Sequence, residues 1–447
     1  MLKKFLNRVR SIGSKRSHGP RIIEVSEHGL TRERISSGAR KTILGLQEKG
    51  YKAYVVGGAV RDLLVSLVPK DFDVATSATP EQVKSVFRRA RIIGRRFRLV
   101  HVPFGDDIVE VSTFRGSGNG GDESQVHDEH GRIVRDNVFG SQEEDSLRRD
   151  FTVNALFYDP STEQIIDYCN GYADVKKRTI RMIGVPEERY REDPVRMLRA
   201  VRMAAKLDGN IEPATKAPIR GMAQLMSNVP PARVFEEMLK LLLSGHAKSS
   251  LEKLRAEGLL HGLLPMIDLI LAQPLGERFL MLVLEKTDER VLDDKSVSPG
   301  FLFAALLWPE VLGAWRKDVE DGAREIPALH EAMDSIIHAQ VEKLAIPRRF
   351  TTDMKDLWLL QARFEHRAGR RPYRLLEHPR YRAGYDFLLL RCEAGEADQD
   401  LGAWWTRFQD ASPDEREGML LADHAPRKRR RRRRPAGEKA PATPSAV

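Results

Sequence analysis

Residues 55–76 read VVGGAVRDLLVSLVPKDFDVAT, and few folds accommodate that succession. An apolar run closes on Gly57-Gly58. A short helical stretch follows from Ala59 to about Leu67, and a second run of strand formers, Asp71 to Thr76, opens with two aspartates one residue apart. Side chains alternate across a strand, so Asp71 and Asp73 share a face. Two carboxylates on one face repel each other unless something positive lies between them. Glu110, mid-strand in IVEVSTF, can join that face from a neighbouring strand. Three carboxylates converging on a sheet surface suit two Mg²⁺ ions, which prefer hard oxygen ligands and keep waters and substrate phosphates in their shells. A D-x-D pair alone is an ordinary solvated strand edge. The glycine turn upstream gives it meaning, because Gly57 and Gly58 let backbone approach a ligand closely. The N–H groups opening the next helix favour phosphate, and Arg61, one turn in, adds a cation. The chain contains no G-x-x-x-x-G-K-[ST] loop.

The pattern around this segment predicts an α/β front and a helical back. Residues 31–49 read as a helix and 52–57 as a buried strand. Thr79-Pro80-Glu81 opens another helix, with threonine as cap and proline in the first turn. RFRLVHVPF and IVEVSTF alternate about Gly105-Asp106-Asp107 as a hairpin, and a second hairpin turns near Asp159-Pro160. Residues 116–140 are a polar insert; VHDEH within it, with His127, Asp128 and His130, reads as a solvated loop rather than a metal site. Ser141 and Glu144 form a capping box that starts a helix expected to run through LRRDFTVNAL. From about residue 187 nearly every segment has helical period. The fold class is therefore α+β: a head with a small mixed β-sheet, followed by all-α neck and body domains. The expected divisions are a basic arm at 1–22, head 23–183, neck 184–270, body 271–420 and an arginine-rich tail 421–447.

Charge is concentrated at the ends. Of the net +10, residues 1–22 supply seven basic groups and RKRRRRRR (427–434) eight, which leaves residues 23–426 at −5. An uninterrupted arginine run repels itself and buries nothing, so its natural partner is a polyanion. Arg429, Arg430, Arg431, Arg432, Arg433 and Arg434 are assigned to RNA backbone. In the N-terminal arm Leu2, Phe5, Leu6 and Val9 recur at helical spacing among basic residues, a pattern that also suits weak contact with a membrane surface. No apolar run is long enough for a spanning helix. Cys169 and Cys392 are the only cysteines. Two distant thiols, and an N-terminus without the apolar core of a secretory signal, lead to the expectation of a cytoplasmic protein.

Three motifs then stand in order: GGAVRDLL…KDFDVAT, RRDFTVNAL (148–156) and REDPVRMLRAVR (191–202). Together they resemble the class II nucleotidyltransferases, which include tRNA CCA-adding enzymes and bacterial poly(A) polymerases. The resemblance covers roughly residues 35–265. It implies a catalytic head with a five-stranded sheet, helical neck and body, and untemplated nucleotide addition to an RNA 3′ end with two Mg²⁺. Position by position, it implies Asp71 and Asp73 as metal ligands, and Asp150 at the ribose. It places Arg149 at the triphosphate or ribose, and Gly58 and Arg61 along the phosphates. Glu110 or Asp150 would complete the catalytic carboxylates, and the sequence does not choose between them.

Asp193 and Arg196 carry a chemical reading of their own. A carboxylate accepts from an exocyclic amine, and an arginine donates to the adjacent ring nitrogen. That pattern fits the Watson–Crick edges of adenine and cytosine and opposes guanine and uracil, without separating A from C. Arg199, one turn on, can support Asp193 or a phosphate. IIGRRFRLVHVPF (92–104) resembles the segment that marks bacterial poly(A) polymerases, and the arginine tail points the same way, since polycations hold RNA without regard to sequence. The leading expectation is template-independent polyadenylation of RNA 3′ ends with ATP as substrate and RNA-decay proteins as candidate partners. CCA addition to tRNA is the alternative, and an inactive RNA-binding protein the second. Intact Asp71, Asp73, Asp150 and Arg196 argue against the last. Trp404-Trp405 read as packing residues rather than a base-stacking platform.

Overall fold

Period-two segments in the first third of the chain assemble as one mixed sheet. In chain order the strands are β1 (Arg21–Ile23), β2 (Ala53–Val56), β3 (Asp73–Thr76), β4 (Arg91–Ile93), β5 (Leu99–Phe104) and β6 (Asp107–Thr113). A separate hairpin, β7 (Gln125–His127) and β8 (Ile133–Asp136), follows, and then β9 (Leu156–Asp159) and β10 (Gln164–Asp167). The eight-stranded order is β1-β10-β9-β2-β3-β6-β5-β4. Only β3 and β6 run parallel; every other neighbouring pair is antiparallel. The family resemblance implies five strands. The sheet has eight, because β4 is added beside β5 and both β10 and β1 lie beyond β9.

This is a computed structural model, and it describes residues 19–94, 98–105, 107–116, 125–127, 133–136, 138–256, 270–273 and 276–422. The arginines at 429–434, most of the N-terminal arm, and Asp128 and His130 of the insert lie outside the described residues. Two compact units are distinguished, Met1–Lys355 and Asp356–Val447. That division falls inside the stretch expected as a single body.

Local chemistry sets the helix ends. Helix α1 (Ser37–Gln47) begins later than the expected residue 31, because Ser36 caps it by accepting from the Ala39 N–H and Arg32–Arg34 form a separate 3₁₀ turn. Helix α2 (Gly58–Leu64) follows β2 directly. Helix α3 (Pro80–Val86) carries a reciprocal capping box between Thr79 and Gln82, and α4 (Gln142–Arg148) one between Ser141 and Glu144. The helix expected through residue 156 stops at Arg148. Arg149 is extended, the Asp150 carboxylate accepts from the Phe151 N–H, and Thr152–Asn154 form one 3₁₀ turn before β9.

Beyond the sheet the first unit is mostly helical, apart from a short parallel pair of Thr179–Ile180 with Asn210–Ile211; its helices include α5 (Pro186–Glu192), α6 (Arg196–Lys206), α7 (Pro231–Leu242) and α8 (Ala247–Ala256). Helix α6 packs on both α7 and α8 and buries Met197, Leu198, Ala200, Val201, Met203, Ala204 and Ala205. Helices α9 (Gly276–Leu292), α10 (Pro299–Glu320) and α11 (Glu325–Leu344) continue, and α12 (Arg348–Phe364) runs across the unit boundary. The second unit adds α13 (Arg371–Leu376), α14 (Tyr381–Ala394) and α15 (Gln399–Asp410). Trp404 and Trp405 lie in its core. The Trp405 indole donates to the Phe364 carbonyl at 2.8 Å and that of Trp404 to the Met419 carbonyl at 3.1 Å, so their polar ends are satisfied internally.

Candidate active site

Register brings the carboxylates together. Asp73 on β3 pairs with Glu110 on β6 in the parallel ladder, and Glu110 pairs with His101 on β5. The three side chains stand in one row on one face. His101 Nε2 lies 3.6 Å from a Glu110 carboxylate oxygen. Asp71 is exposed just before β3, which starts at Asp73 rather than Asp71. Val56, Leu99 and Ser112 complete this wall of a pocket of about 390 Å³.

The opposite wall is cationic. Arg115, Arg148 and Arg149 line it together with Asp145. Because Arg149 leaves the helix in extended conformation, its guanidinium folds back to Asp145: Nη2 donates at 2.8 Å and Nε at 3.2 Å. It also lies 5.4 Å over the Phe157 ring. The second carboxylate oxygen of Asp145 accepts from the Arg115 backbone N–H at 3.1 Å, and Arg148 donates to the Gly116 carbonyl at 2.6 Å. Gly57 makes the adjoining turn at φ +75°, ψ −129°, a conformation that L side chains rarely adopt. A Cβ there would come within 3.4 Å of Arg149 Nη1.

The two walls perturb each other's charges. Water reaches Asp73, but the pocket strips much of its hydration, and this desolvation first, then the Glu110 charge, push its carboxyl up to about 6. Arg149 opposes the shift and Asp71 adds to it. Burial, then Arg115 and Arg189, bring the Arg148 guanidinium down to about 10. Each side thus carries like charge crowded against like charge, which a bound cation on one wall and a bound anion on the other would relieve. Among the described residues, no group of three or more His, Cys, Asp or Glu is placed to hold a metal by protein ligands alone.

Asp150 lies elsewhere. It does not line the pocket and receives both Nε and Nη2 of Arg199 on one oxygen, at 2.8 and 2.6 Å. Its other oxygen accepts from the Phe151 N–H and the Asn154 amide. Burial would raise this carboxyl, but Arg199 and these hydrogen bonds hold it well below the usual carboxylate range. Arg61, expected along the phosphates, is only 4% exposed. It donates to Asp62 at 2.7 and 2.9 Å and to the Asn154 Oδ1 at 2.5 Å, while Lys206 donates to the second Asp62 oxygen at 2.6 Å. A continuous buried network results: Lys206, Asp62, Arg61, Asn154, Asp150, Arg199, and then Glu237 on α7, 3.6 Å from Arg199.

Asp193 and Arg196 do not pair with each other. Arg196 donates to Glu192 and to the Arg189 carbonyl, both at 2.8 Å, and Asp193 accepts from Arg233 at 2.5 Å. The other Asp193 oxygen is buried and has no hydrogen-bond partner. Arg189, which the sequence reading overlooked, donates to the carbonyls of Arg148 and Arg149 at 2.7 and 2.8 Å and so ties α5 to the arginine wall. Asp145, Arg115 and Arg148 were overlooked too. The signal available for Arg148 and Asp145 was the first arginine of the RRD run and the Ser141 cap that sets the phase of α4.

The fold and this site define a nucleotidyltransferase. A solved CCA-adding enzyme from Bacillus stearothermophilus, in complex with CTP, is 26% identical with a TM-score of 0.55, over 86% of this chain and 81% of that one. Three family models match: the poly A polymerase head domain over residues 53–181, a probable RNA and SrmB-binding site of polymerase A over 210–271, and the polymerase A arginine-rich C-terminus over 321–437. Poly(A) polymerase I of Escherichia coli O6:H1 is 45% identical over 446 residues, 97% of this chain and 96% of its own. A CCA-adding enzyme of Lactobacillus helveticus is 37% identical, over only 46% of this chain and 50% of its own. The chain belongs to the poly(A) polymerase family. It is a polynucleotide adenylyltransferase, and its match in sequence to the CCA-adding enzyme covers only half of that protein.

Proposed function

We propose that the pocket between Asp73 and Arg148 joins AMP from ATP to the 3′-hydroxyl of RNA. A bond forms between the 3′-oxygen and the α-phosphorus, and the bond to pyrophosphate breaks. The observation that carries this is the opposition of a carboxylate row and an arginine wall across one cavity of about 390 Å³. Asp71 and Asp73 are the residues to hold Mg²⁺, with Glu110 as the third carboxylate. A small carboxylate set fits Mg²⁺, which takes one or two protein ligands plus phosphates and water, better than a metal needing a full protein cage. Bound there, two ions would neutralise charge on the phosphoryl group and the leaving pyrophosphate and favour ionisation of the attacking hydroxyl. Arg115, Arg148 and Arg149 take the triphosphate. Gly57 and Gly58 keep side chains off the path to it.

In this reading Asp150 and Arg199 position rather than touch, since each satisfies the other. The buried, unpartnered oxygen of Asp193 is an acceptor suited to the adenine amine, with Arg196 beside it. RNA enters as a single strand with little sequence preference. The 210–271 segment and the arginines at 429–434 hold its backbone, and RNA-decay proteins are partners for the former. Among the described residues no helix is long and apolar enough to cross a membrane, and we place the enzyme in the cytoplasm, with at most a weak surface contact through the N-terminal arm. The test is purified protein with Mg²⁺, an unstructured RNA primer and each NTP separately. Long ladders with ATP alone are expected. A stop after C, C and A on truncated tRNA would replace this reading with CCA addition, and no incorporation at all would leave only RNA binding.

A further inference from the structure

The second unit contains a small pocket of about 210 Å³ lined by three arginines, a histidine and a leucine. Arg363 comes from the last turn of α12, His366 from the turn after it, and Arg371 and Arg374 from α13. Its floor is Leu375, a residue of the unit's buried core. These arginines combine a shared pocket with a lack of partners; among the described residues, Arg370 and Arg407 of the same unit also have none, but they do not line it. Elsewhere in the same unit Arg380 pairs with Asp356 at 3.1 Å, Arg382 with Asp386 at 3.0 Å and Arg391 with Glu396 at 2.5 Å. Arg416 donates to two backbone carbonyls. Among the described residues, the side chains of Arg363, His366, Arg371 and Arg374 have no ion-pair or hydrogen-bond partner. Next to them, Arg367 has a buried Nε with no acceptor. Residues 363–382 carry seven arginines against two glutamates.

Exposed arginines are often simply solvated, but guanidiniums gathered around one hollow repel each other, and an anion supplied from outside would relieve that repulsion. Phosphate matches it best: the planar fork of arginine donates in parallel to two phosphate oxygens. The volume is below that of the pockets that enclose drug-sized ligands, roughly 300–1,000 Å³, and suits one phosphate group lodged from a passing chain. We propose that this pocket is a phosphodiester-binding subsite for the backbone of the RNA substrate. It is separate from the nucleotide site and from the arginine run at 429–434. The choice of RNA over an acidic peptide rests on the polyadenylation reading above.

Full-length protein without ATP or Mg²⁺ tests the subsite by equilibrium binding of one long unstructured oligoribonucleotide over a range of salt. Replacing both Arg371→Ala and Arg374→Ala should weaken binding about tenfold. It should also flatten the slope of log K against log salt by about 1.4, the share of two single-strand phosphate contacts. Arg371→Lys with Arg374→Lys keeps the charge and should recover most of the slope but only part of the affinity, because the fork is lost. Arg382→Ala, an equal loss of charge at a paired arginine on α14, should change affinity less than twofold. All the altered side chains are exposed, and unchanged melting temperatures verify the folding of each variant. Affinity and slope in the double alanine variant equal to wild type would overturn the proposal, as would an equal loss in Arg382→Ala. Because no chemistry is involved, the subsite stands or falls independently of the reaction. Failure of wild-type protein to extend any primer, with the binding differences intact, would strike the polyadenylation reading and leave the subsite.

Discussion

Asp73 and Asp150 are both aspartates of recognisable motifs in the same head, and their surroundings are opposite. Asp73 faces a cavity, has a like charge beside it in the Glu110 of the next strand, and holds its proton up to about 6. Asp150 is enclosed, accepts two hydrogen bonds from Arg199, and has its carboxyl held far down. One leaves like charges side by side; the other is paired within the protein. The family resemblance implies metal binding for Asp73 and, for Asp150, ribose contact or a third catalytic carboxylate, and the partners of the two differ as sharply.

Replacing Asp73 should have the largest effect on turnover. Asp73→Asn is expected to lower kcat by at least ~10³, because charge on the transferring phosphoryl group goes unneutralised. It should not lower stability. The folded-state pKa of Asp73 is raised, so its contribution to stability is fully present below about pH 4 and is lost as pH rises through about 6. In metal-free buffer the asparagine variant should therefore melt at or above wild type at pH 8, with the difference vanishing near pH 4. Activity within tenfold of wild type would remove Asp73 from the site.

Arg199→Ala should reverse the balance of effects. It leaves a buried carboxylate without its cation, a loss of about 3–5 kcal/mol, seen as a large drop in Tm. Asp150→Asn should cost less, with activity following the folded fraction. The sign for pH is also opposite. The depressed pKa of Asp150 gives stability above the unfolded value near 4 that disappears as pH falls below it. If Asp150→Asn instead abolishes turnover at unchanged Tm, Asp150 touches the reaction and the contrast with Asp73 collapses.

A milder change tests the cationic wall. Arg148→Ala should raise KM for ATP roughly tenfold, the worth of one charge-assisted contact, with a smaller change in kcat. Free tripolyphosphate should inhibit the variant less than wild type. Equal inhibition would move triphosphate recognition off α4.

What was legible in the sequence was local. The Gly57 turn, the caps at Thr79 and Ser141 and the two hairpins depend on residues a few positions apart, and the structure forms each of them, while the expected D-x-D strand begins only at Asp73. What was not legible depends on distant partners. Arg61 sits one turn from the glycines, the right place for a phosphate contact, yet Asn154, 93 residues on, claims one of its donors. Arg199 was expected to support Asp193 or a phosphate and took Asp150, 49 residues back. The helix through LRRDFTVNAL broke at Arg149 because Asp145 and the Phe151 N–H each found a side chain only when it did. No sequence motif points to Arg363, His366, Arg371 and Arg374, and only the turn between α12 and α13 gathers them around one hollow.

The smallest expected effect concerns Glu110, whose neighbour Asp73 reports on it. Glu110 is in register with Asp73, and its charge is the second contributor, after desolvation, to the raised Asp73 carboxyl. Glu110→Gln removes that charge and keeps the side chain's size and the β6 strand. The Asp73 carboxyl should then ionise at lower pH. At Mg²⁺ too low to fill the site, where protons compete with metal for Asp73, the acid limb of the activity profile should move down as well. Its plateau should fall about ten- to a hundredfold if Glu110 also helps to hold metal. The two readouts separate two roles. A shifted limb with an unchanged plateau makes Glu110 a neighbour that tunes Asp73 and nothing more. A lowered plateau relieved by higher Mg²⁺ makes it a ligand. An unmoved limb would mean that solvent in the pocket screens the two carboxylates from each other, and that desolvation alone sets Asp73 apart from Asp150.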